Sequence, residues 1–392
     1  MSRTVLACAW LWTPLFAQTT WLVNASGGPG VQFTDLAAAV AAAADGDTIV
    51  CQHPAFGESL GGFTTNKGLT IVGDANGVPL TTIVAPIQVV GLPAGRTFRM
   101  AGFQAVLDGQ LRIVLQNCAG RVELDNLQAR EPDMMFPTTP GVDIANCASV
   151  VLRDVVDFGV PAVRVAGSQV LLSGCWLGIT RIGVGGGPCL WATNATVDIV
   201  QPMFRTGGIQ QAPGVWFPAI DATNSGLRLA GDAMAMVSGG PPSSPLGGSA
   251  IVANGGSVVH DPAVGLFAGL GQPLLAGTAP VVVQPVPASW LPDAASPGLV
   301  ATIRSTAANG AAVFVALGVP GPLTSTVFGT VGLDLASPPV FLPVAIAPPS
   351  GVVNQPVPVP AALPRGQAFT TQSVVWDGVR LQFGLPTTFV VQ

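Results

Sequence analysis

An apolar-x-apolar triplet returns every twenty to thirty residues through the first two thirds of the chain. The copies are Leu69-Thr-Ile71, Phe98-Arg-Met100, Val122-Glu-Leu124, Val150-Val-Leu152, Val170-Leu-Leu172, Val197-Asp-Ile199 and Leu227-Arg-Leu229, at spacings of 29, 24, 28, 20, 27 and 30 residues. One short strand cannot bury its apolar side alone, whereas copies stacked in register build a continuous core. A period in this range predicts a stacked solenoid rather than a closed globule.

Composition agrees. Only 9% of residues are charged, against roughly 25% in an ordinary soluble domain. The 49 Gly and 36 Pro break the apolar residues into short pieces, which predicts many short strands joined by turns. Past the N-terminus no apolar run reaches the ~18 residues a membrane helix needs, so no membrane span is expected in the mature chain. The net charge is −5, with Lys67 the single lysine. Without a basic patch, nucleic acid is not an expected partner. Tyr is absent, which leaves Trp and Phe to supply any aromatic contact surface.

The first residues read as an export signal. Arg3 is followed by a mostly apolar run, Thr4 to Phe16, and then by Ala17 before polar Gln18. The run is too short to span a bilayer and suits a signal peptide over residues 1–17, which implies a secreted or cell-surface protein. Five cysteines then remain: Cys51, Cys118, Cys147, Cys175 and Cys189. An odd number argues against a disulfide framework. Cys118 and Cys147 both follow an asparagine, 29 residues apart, and are expected on neighbouring rungs, either as a disulfide or as buried free thiols. No pattern with zinc spacing occurs.

One helix is expected, from Thr34 as N-cap through the alanine-rich run to Ala44, with Asp35 in its first turn and Gly46 just past its end. A single amphipathic helix before a repeat array suits a lid over the first rung. Phe33-Thr-Asp-Leu-Ala-Ala-Ala-Val40, Asp45-Gly-Asp-Thr-Ile-Val50 and Lys67-Gly-Leu-Thr-Ile-Val-Gly-Asp74 resemble, in that order, the opening of secreted right-handed parallel β-helix proteins of the pectate-lyase-like superfamily. The resemblance covers residues ~30–265 and speaks to fold far more than to activity.

A second series of short strands supports the stack independently. Its members are Ile113-Val-Leu-Gln-Asn117, Val142-Asp-Ile-Ala-Asn146, Val163-Arg-Val-Ala-Gly167, Leu190-Trp-Ala-Thr-Asn194, Ile220-Asp-Ala-Thr-Asn224 and Ile251-Val-Ala-Asn254. Period-two alternation puts one apolar set inward, and the closing Asn or Gly suits a left-handed corner. Asn194-Ala-Thr196 is also a glycosylation sequon, but sister positions lack one, so the column reads as structural.

Pro-rich sequence from Leu270 to Pro292 marks a boundary. The expected organisation is therefore all-β: a right-handed parallel β-helix over 18–286 with an N-terminal cap helix, then a small β-sandwich-like module over 287–392, built from about seven strands without the solenoid's period.

Enzymes that the resemblance brings to mind cut polysaccharides with clustered carboxylates, and the lyases among them bind calcium. Hydrolysis needs two carboxyls at a defined separation. No Asp-Asp pair occurs anywhere, and His53 and His260 lie in no catalytic context. The nearest substitute is a cluster on adjacent rungs: Glu123, Asp125, Arg153, Asp154, Asp157 and Asp198. Asp125 and Arg153 hold equivalent positions one rung apart, and the cluster is expected as ion pairs on a solvated face. No cofactor is expected; a calcium or catalytic site is the alternative reading of this cluster, although no motif supports calcium. The GxSxG string Gly57-Glu-Ser-Leu-Gly61 lacks the following helix a nucleophile elbow needs and reads as a turn.

Two longer connections, 128–141 and 201–218, are the natural places for binding residues. Arg130 and Phe136 lie in the first; Arg205, Trp216 and Phe217 lie in the second. Trp176 and Trp191 are expected to pack in the core or under loops. The leading expectation is a non-catalytic secreted or cell-surface protein that binds glycan or another extracellular surface. The alternatives are a divergent polysaccharide lyase or glycoside hydrolase acting through Glu123, Asp154, Asp157 or Asp198 with Arg153, and a structural or adhesive surface component.

Overall fold

The structure, a computed structural model, describes residues 18–52, 59–73, 81–84, 86–106, 113–130, 140–157, 159, 161–179, 187–206, 210–212, 215–240, 247–292, 297–364 and 366–391. The expected signal peptide, His53 and Phe136 lie outside the described residues.

The triplets lie on top of one another. In-register parallel pairing builds an inward column that runs Trp21, Ile49, Ile71, Met100, Leu124, Leu152, Leu172, Ile199 and Leu229, and ends at His260 and Val283. The chain is a right-handed parallel β-solenoid of about eight turns. Each middle turn crosses three parallel sheets. The triplet strands form sheet one and the second series forms sheet two, where Ile113, Val142, Val163, Leu190, Ile220 and Ile251 stack inward. Sheet three holds Val156–Asp157, Trp176–Ile179, Met203–Thr206, Met236–Ser238 and Gly265–Phe267.

Corners join the sheets through left-handed residues. Asn117, Asn146, Asn194 and Asn224 have φ of 54°, 54°, 49° and 50°, and Gly167 has 56°. Gly tolerates this region because it has no Cβ to meet the next carbonyl, and Asn because its short amide side chain can hydrogen-bond locally. The last member is Gly255 (φ 72°) rather than Asn254, because Asn254 pairs with Thr223, one residue before the corner. A second corner column joins sheet one to sheet three: Gly102, Asn126, Asp154, Gly174 and Gln201, with φ between 49° and 78°. The five described cysteines are free and buried. Cys118, Cys147 and Cys175 follow corner residues and donate to the carbonyl two residues earlier, as do the Ser168 and Ser225 hydroxyls. Cysteine here is a slightly larger serine.

The cap helix is shorter than expected, spanning Leu36–Ala42, and Asp35 rather than Thr34 is its N-cap, accepting from the Ala38 N–H at 2.9 Å. Leu36, Ala39 and Val40 are buried over the first turns. Lys67 closes the other end: Nζ donates to the carbonyls of Val40, Ala41 and Ala43 at 2.9, 2.7 and 2.7 Å. These are acceptors that a helix C-terminus leaves without intrahelical partners.

The solenoid's stacked pairing ends at Val281–Val283, and the antiparallel sheets of the module start at Ala288–Trp290. One sheet contains Ala288–Trp290, Val300–Thr306 and Val352–Pro358; another is centred on Ala312–Gly318 and Ala368–Trp376. Ile303 and Val353 from the first sheet share an apolar core with Val313, Val315, Phe369 and Phe389 from the second, the sandwich arrangement of two sheets over one layer. Pro320–Thr326 and Gly329–Leu333 add a hairpin.

Candidate functional site

The antiparallel module lies on the outer face of sheet one. Outward residues there form columns by register. One runs Thr70, Arg99, Glu123, Val151, Leu171, Asp198, Arg228 and Val259. The next runs Ala101, Asp125, Arg153, Ser173, Val200 and Ala230. Val151, Leu171, Val200 and Ala230 join Trp290, Leu323 and Leu385 of the module in one buried cluster. Ala101 packs with Ala368 and Val390.

The carboxylate cluster is therefore not on a solvated face. The Glu123 and Arg153 side chains are 2% exposed and that of Asp198 is 0% exposed. Four apolar side chains in the same columns make the face worth covering, and the charges are buried with it. Glu123 sits between Arg99 and Arg121. Burial works to raise its carboxyl, and the two guanidinium groups overrule that and hold it below the usual range. Arg121 reaches on to the Gly321 carbonyl and donates to Thr388 Oγ1 at 2.7 Å. Asp198 takes a two-pronged pair from Arg228 at 2.7 and 2.8 Å and a hydrogen bond from Thr330 Oγ1 at 3.1 Å.

The cross-rung pair of Arg153 with Asp125 is present at 3.3 Å. Arg153 also reaches Asp154 at 2.6 Å, and Asp154 is a left-handed corner (φ 50°). Asp157 lies on sheet three, buried, accepting from the Gly159 N–H at 2.8 Å. Glu123 and Asp198 share a column but stand three strand steps apart. At ~4.8 Å per step that is about 14 Å, beyond the separations at which two carboxyls flank one glycosidic bond. Asp125 and Asp198, with Arg121 beside Glu123, bond the module directly, whereas Asp154 is a partly exposed corner and Asp157 lies on another sheet.

The binding candidates are dispersed. Arg205 is exposed on sheet three. Phe217 is half-buried against the solenoid core. Trp216 lies in a short antiparallel pairing of Gln210–Ala212 with Val215–Trp216, and Arg130 ends the strand Arg121–Arg130. Trp176 and Trp191 are not core residues. They are 49% and 44% exposed on sheets three and two, because both occupy outward positions of the alternation, beside Met203 and Arg164 respectively.

A better-formed recess lies where the module meets the last turns of the solenoid. It is a cleft of about 720 Å³ whose walls include Arg228, Gln284, Phe328, Trp376, Arg380 and Phe383. Trp376 is 44% exposed and Phe328 49%. Phe328 stands edge-on to Phe383, centroids 6.0 Å apart at 89°, an arrangement aromatic rings favour. Two hairpin tips carry these groups: Thr326–Gly329, and the turn after Trp376. In the second, Asp377 Oδ1 accepts from the N–H groups of Val379 and Arg380 at 2.9 and 2.6 Å, and these hold its carboxyl below the usual range. That turn fixes the backbone of Arg380, which lines the same cleft as Trp376. The Asp377-Gly378 dipeptide between two strands was the available signal, since Asp-Gly marks a tight hairpin and Gly378 adopts φ 94°. What brings Phe328, Trp376 and Arg228 together is tertiary.

Apolar ring faces can stack on sugar rings, while guanidinium and amide groups bond hydroxyls or carboxylates. Among the described residues no group of three His, Cys, Asp or Glu side chains is placed to hold a metal ion, and no helix is long and apolar enough to cross a membrane. No protein-family model matches the chain, and no curated protein matches it.

Proposed function

We propose that this is a secreted or cell-surface β-helix protein of the pectate-lyase-like type that binds an extracellular glycan without turning it over. The observation that carries the reading is the cleft, with Trp376 and Phe328 exposed beside Arg228 and Arg380. Aromatic faces flanked by Arg380 and Gln284 form a site suited to carbohydrate, while Arg228 in the same wall is held by Asp198. The carboxylates that a β-helix enzyme would use on sheet one are buried beneath the module and neutralised by arginines.

The test is affinity electrophoresis against a panel of neutral and acidic polysaccharides, with released reducing ends and unsaturated products measured in parallel. Retardation by at least one polysaccharide is expected, unaffected by chelator. Trp376→Ala should lower affinity at least about fivefold, the scale of a stacking contact worth ~1–3 kcal/mol by analogy with base stacking. Retardation that survives Trp376→Ala and Phe328→Ala together would remove the cleft from the reading. Product release abolished by Asp157→Asn would make the protein an enzyme instead.

A further inference from the structure

The two sheets of the C-terminal module do not close completely. Between them lies a cavity of about 300 Å³, walled by Ala301, Ile303, Leu317, Leu342, Phe369 and Phe389 among others. All of its walls are Leu, Ile, Val, Ala, Phe or Pro. The volume is about twice the ~150 Å³ at which an apolar engineered cavity stays dry and admits benzene, and it reaches the lower bound of ordinary ligand pockets. A space this size lined only by apolar groups forfeits many van der Waals contacts while empty.

The chemistry of the occupant follows from the walls. No charged or amide side chain lines the space, so an ionised or multiply hydroxylated ligand would lose its hydration with nothing in return. A sugar is excluded on that ground, and the cavity is independent of the glycan cleft. The gap between two stacked sheets is a slot about one side-chain layer thick, which suits an extended chain better than a bulky ring system. Pro358 and Pro360 are the exposed members of the lining, and the surface beside them continues apolar, with Val300, the strand partner of Pro358, 65% exposed and Leu299 63% exposed. Over residues 287–392 the sequence has six charged side chains: Asp293, Arg304, Asp334, Arg365, Asp377 and Arg380.

We propose that this cavity holds a single unbranched aliphatic chain, the tail of an amphiphile whose polar end stays at the mouth. Free amphiphile and membrane lipid share that chemistry, and the test separates them.

Full-length protein is titrated with cis-parinaric acid, an unbranched polyene fatty acid whose fluorescence rises in apolar surroundings, and the probe is then displaced with decanoate. Saturable binding at one site per chain and displacement by decanoate are expected. Ala301→Phe and Val340→Phe, both at lining positions, fill the space and should each weaken binding at least tenfold. Circular dichroism confirms that at least one of these variants is folded, and Trp376→Ala should bind the probe as the native chain does. Co-flotation with phosphatidylcholine vesicles forms the second arm. Flotation lost in the filled variants identifies a bilayer as the source of the chain, and displacement by decanoate without flotation identifies a free amphiphile. Absence of saturable probe binding, or probe binding and flotation indifferent to both filled variants, overturns the proposal.

Discussion

The backbone N–H of Val390 donates to Oδ2 of Asp125 at 2.8 Å, joining residues 265 positions apart in the chain. The other oxygen, Oδ1, is buried without a hydrogen-bond partner. Burial dominates, and it pushes the Asp125 carboxyl up to about 7 despite the attraction of Arg153, with Asp154 and Glu123 adding to the rise. A carboxyl raised in the folded state binds more protons folded than unfolded. Its contribution to stability is thus complete below the unfolded value near 3.8 and is lost as pH rises through about 7. Glu123 is shifted the opposite way and adds a slope only at more acidic pH, below its unfolded value of 4.5. Urea midpoints should therefore fall between pH 4.5 and 7.5, and Asp125→Asn should flatten much of that fall. An unchanged slope in Asp125→Asn would show that another group, such as the partly buried Asp221 whose carboxyl is also raised, carries it.

Arg121 is the most connected link between solenoid and module, bonded to Glu123, the Gly321 carbonyl and Thr388 Oγ1. Arg121→Met leaves Glu123 buried with Arg99 alone. Removing one partner of a buried ion pair costs ~3–5 kcal/mol. Thr388→Val removes two hydrogen bonds, from Arg121 and with Thr370 Oγ1, yet leaves the Arg121–Glu123 pair in place, and should cost about 2 kcal/mol. Equilibrium denaturation compares the two, and similar costs would mean that the guanidinium is not what holds the module down.

Much of this architecture was legible in the sequence, and the reason is local. Val122, Val150, Val170 and Val197 point inward because strand alternation leaves them no other choice, and left-handed corners select Asn and Gly residue by residue. The covering of sheet one was not legible. Glu123-x-Asp125 and Arg153-Asp154 look like solvated charges when read along one strand. Only the apolar members of the same columns, Val151 and Leu171, hint that something must lie over them, and nothing in the triplets says that it comes from residues beyond 287. The cleft was hidden for the same reason, since Arg228 and Trp376 meet only once the module has docked.

Lys67 is the chain's single lysine, and it serves the cap helix. Its ammonium takes three carbonyls near the helix C-terminus, where a cation also complements the helix dipole. Lys67→Met keeps the aliphatic stem and removes those donors. The expected loss is ~1–3 kcal/mol, the scale of hydrogen bonds to a charged group. Hydrogen exchange should show faster amides in Leu36–Ala42 and the first strands, with the module unaffected. Uniform loss of protection across the chain would instead mean that the cap does not open independently.

The cysteines test the packing of the corners directly. All five described thiols are buried and unpaired. Cys51, Cys175 and Cys189 are pushed up by burial, the latter two to about 12. The neighbouring Cys118 and Cys147 sulfurs shift each other in opposite directions, Cys118 down and Cys147 up. A thiolate-forming group still needs access to react. Native protein should therefore react with an aromatic disulfide reagent far more slowly than free cysteine does, with Cys118 first, and all five thiols should appear in denaturant. Two fewer thiols under denaturing, non-reducing conditions would reveal a Cys118–Cys147 disulfide.

Asn194 separates the structural meaning of the corner column from its sequon. Its φ is 49° and its N–H donates to the Thr223 carbonyl at 2.9 Å, while the lower corner Asn146 donates its side-chain amide to Asn117 Oδ1 at 3.2 Å. A side chain with a Cβ and no local hydrogen bond costs roughly 1–2 kcal/mol in this conformation. Asn194→Ala should therefore lose about that much, whereas Asn194→Gly should lose far less because glycine enters the region without penalty. Thr196→Ala destroys the sequon yet leaves the corner intact, since Thr196 is exposed at the start of its strand. Thermal denaturation in a host that does not glycosylate should thus show a drop for Asn194→Ala and none for Thr196→Ala. Equal stability of Asn194→Ala and Asn194→Gly would mean that the left-handed corner is not what selects asparagine there.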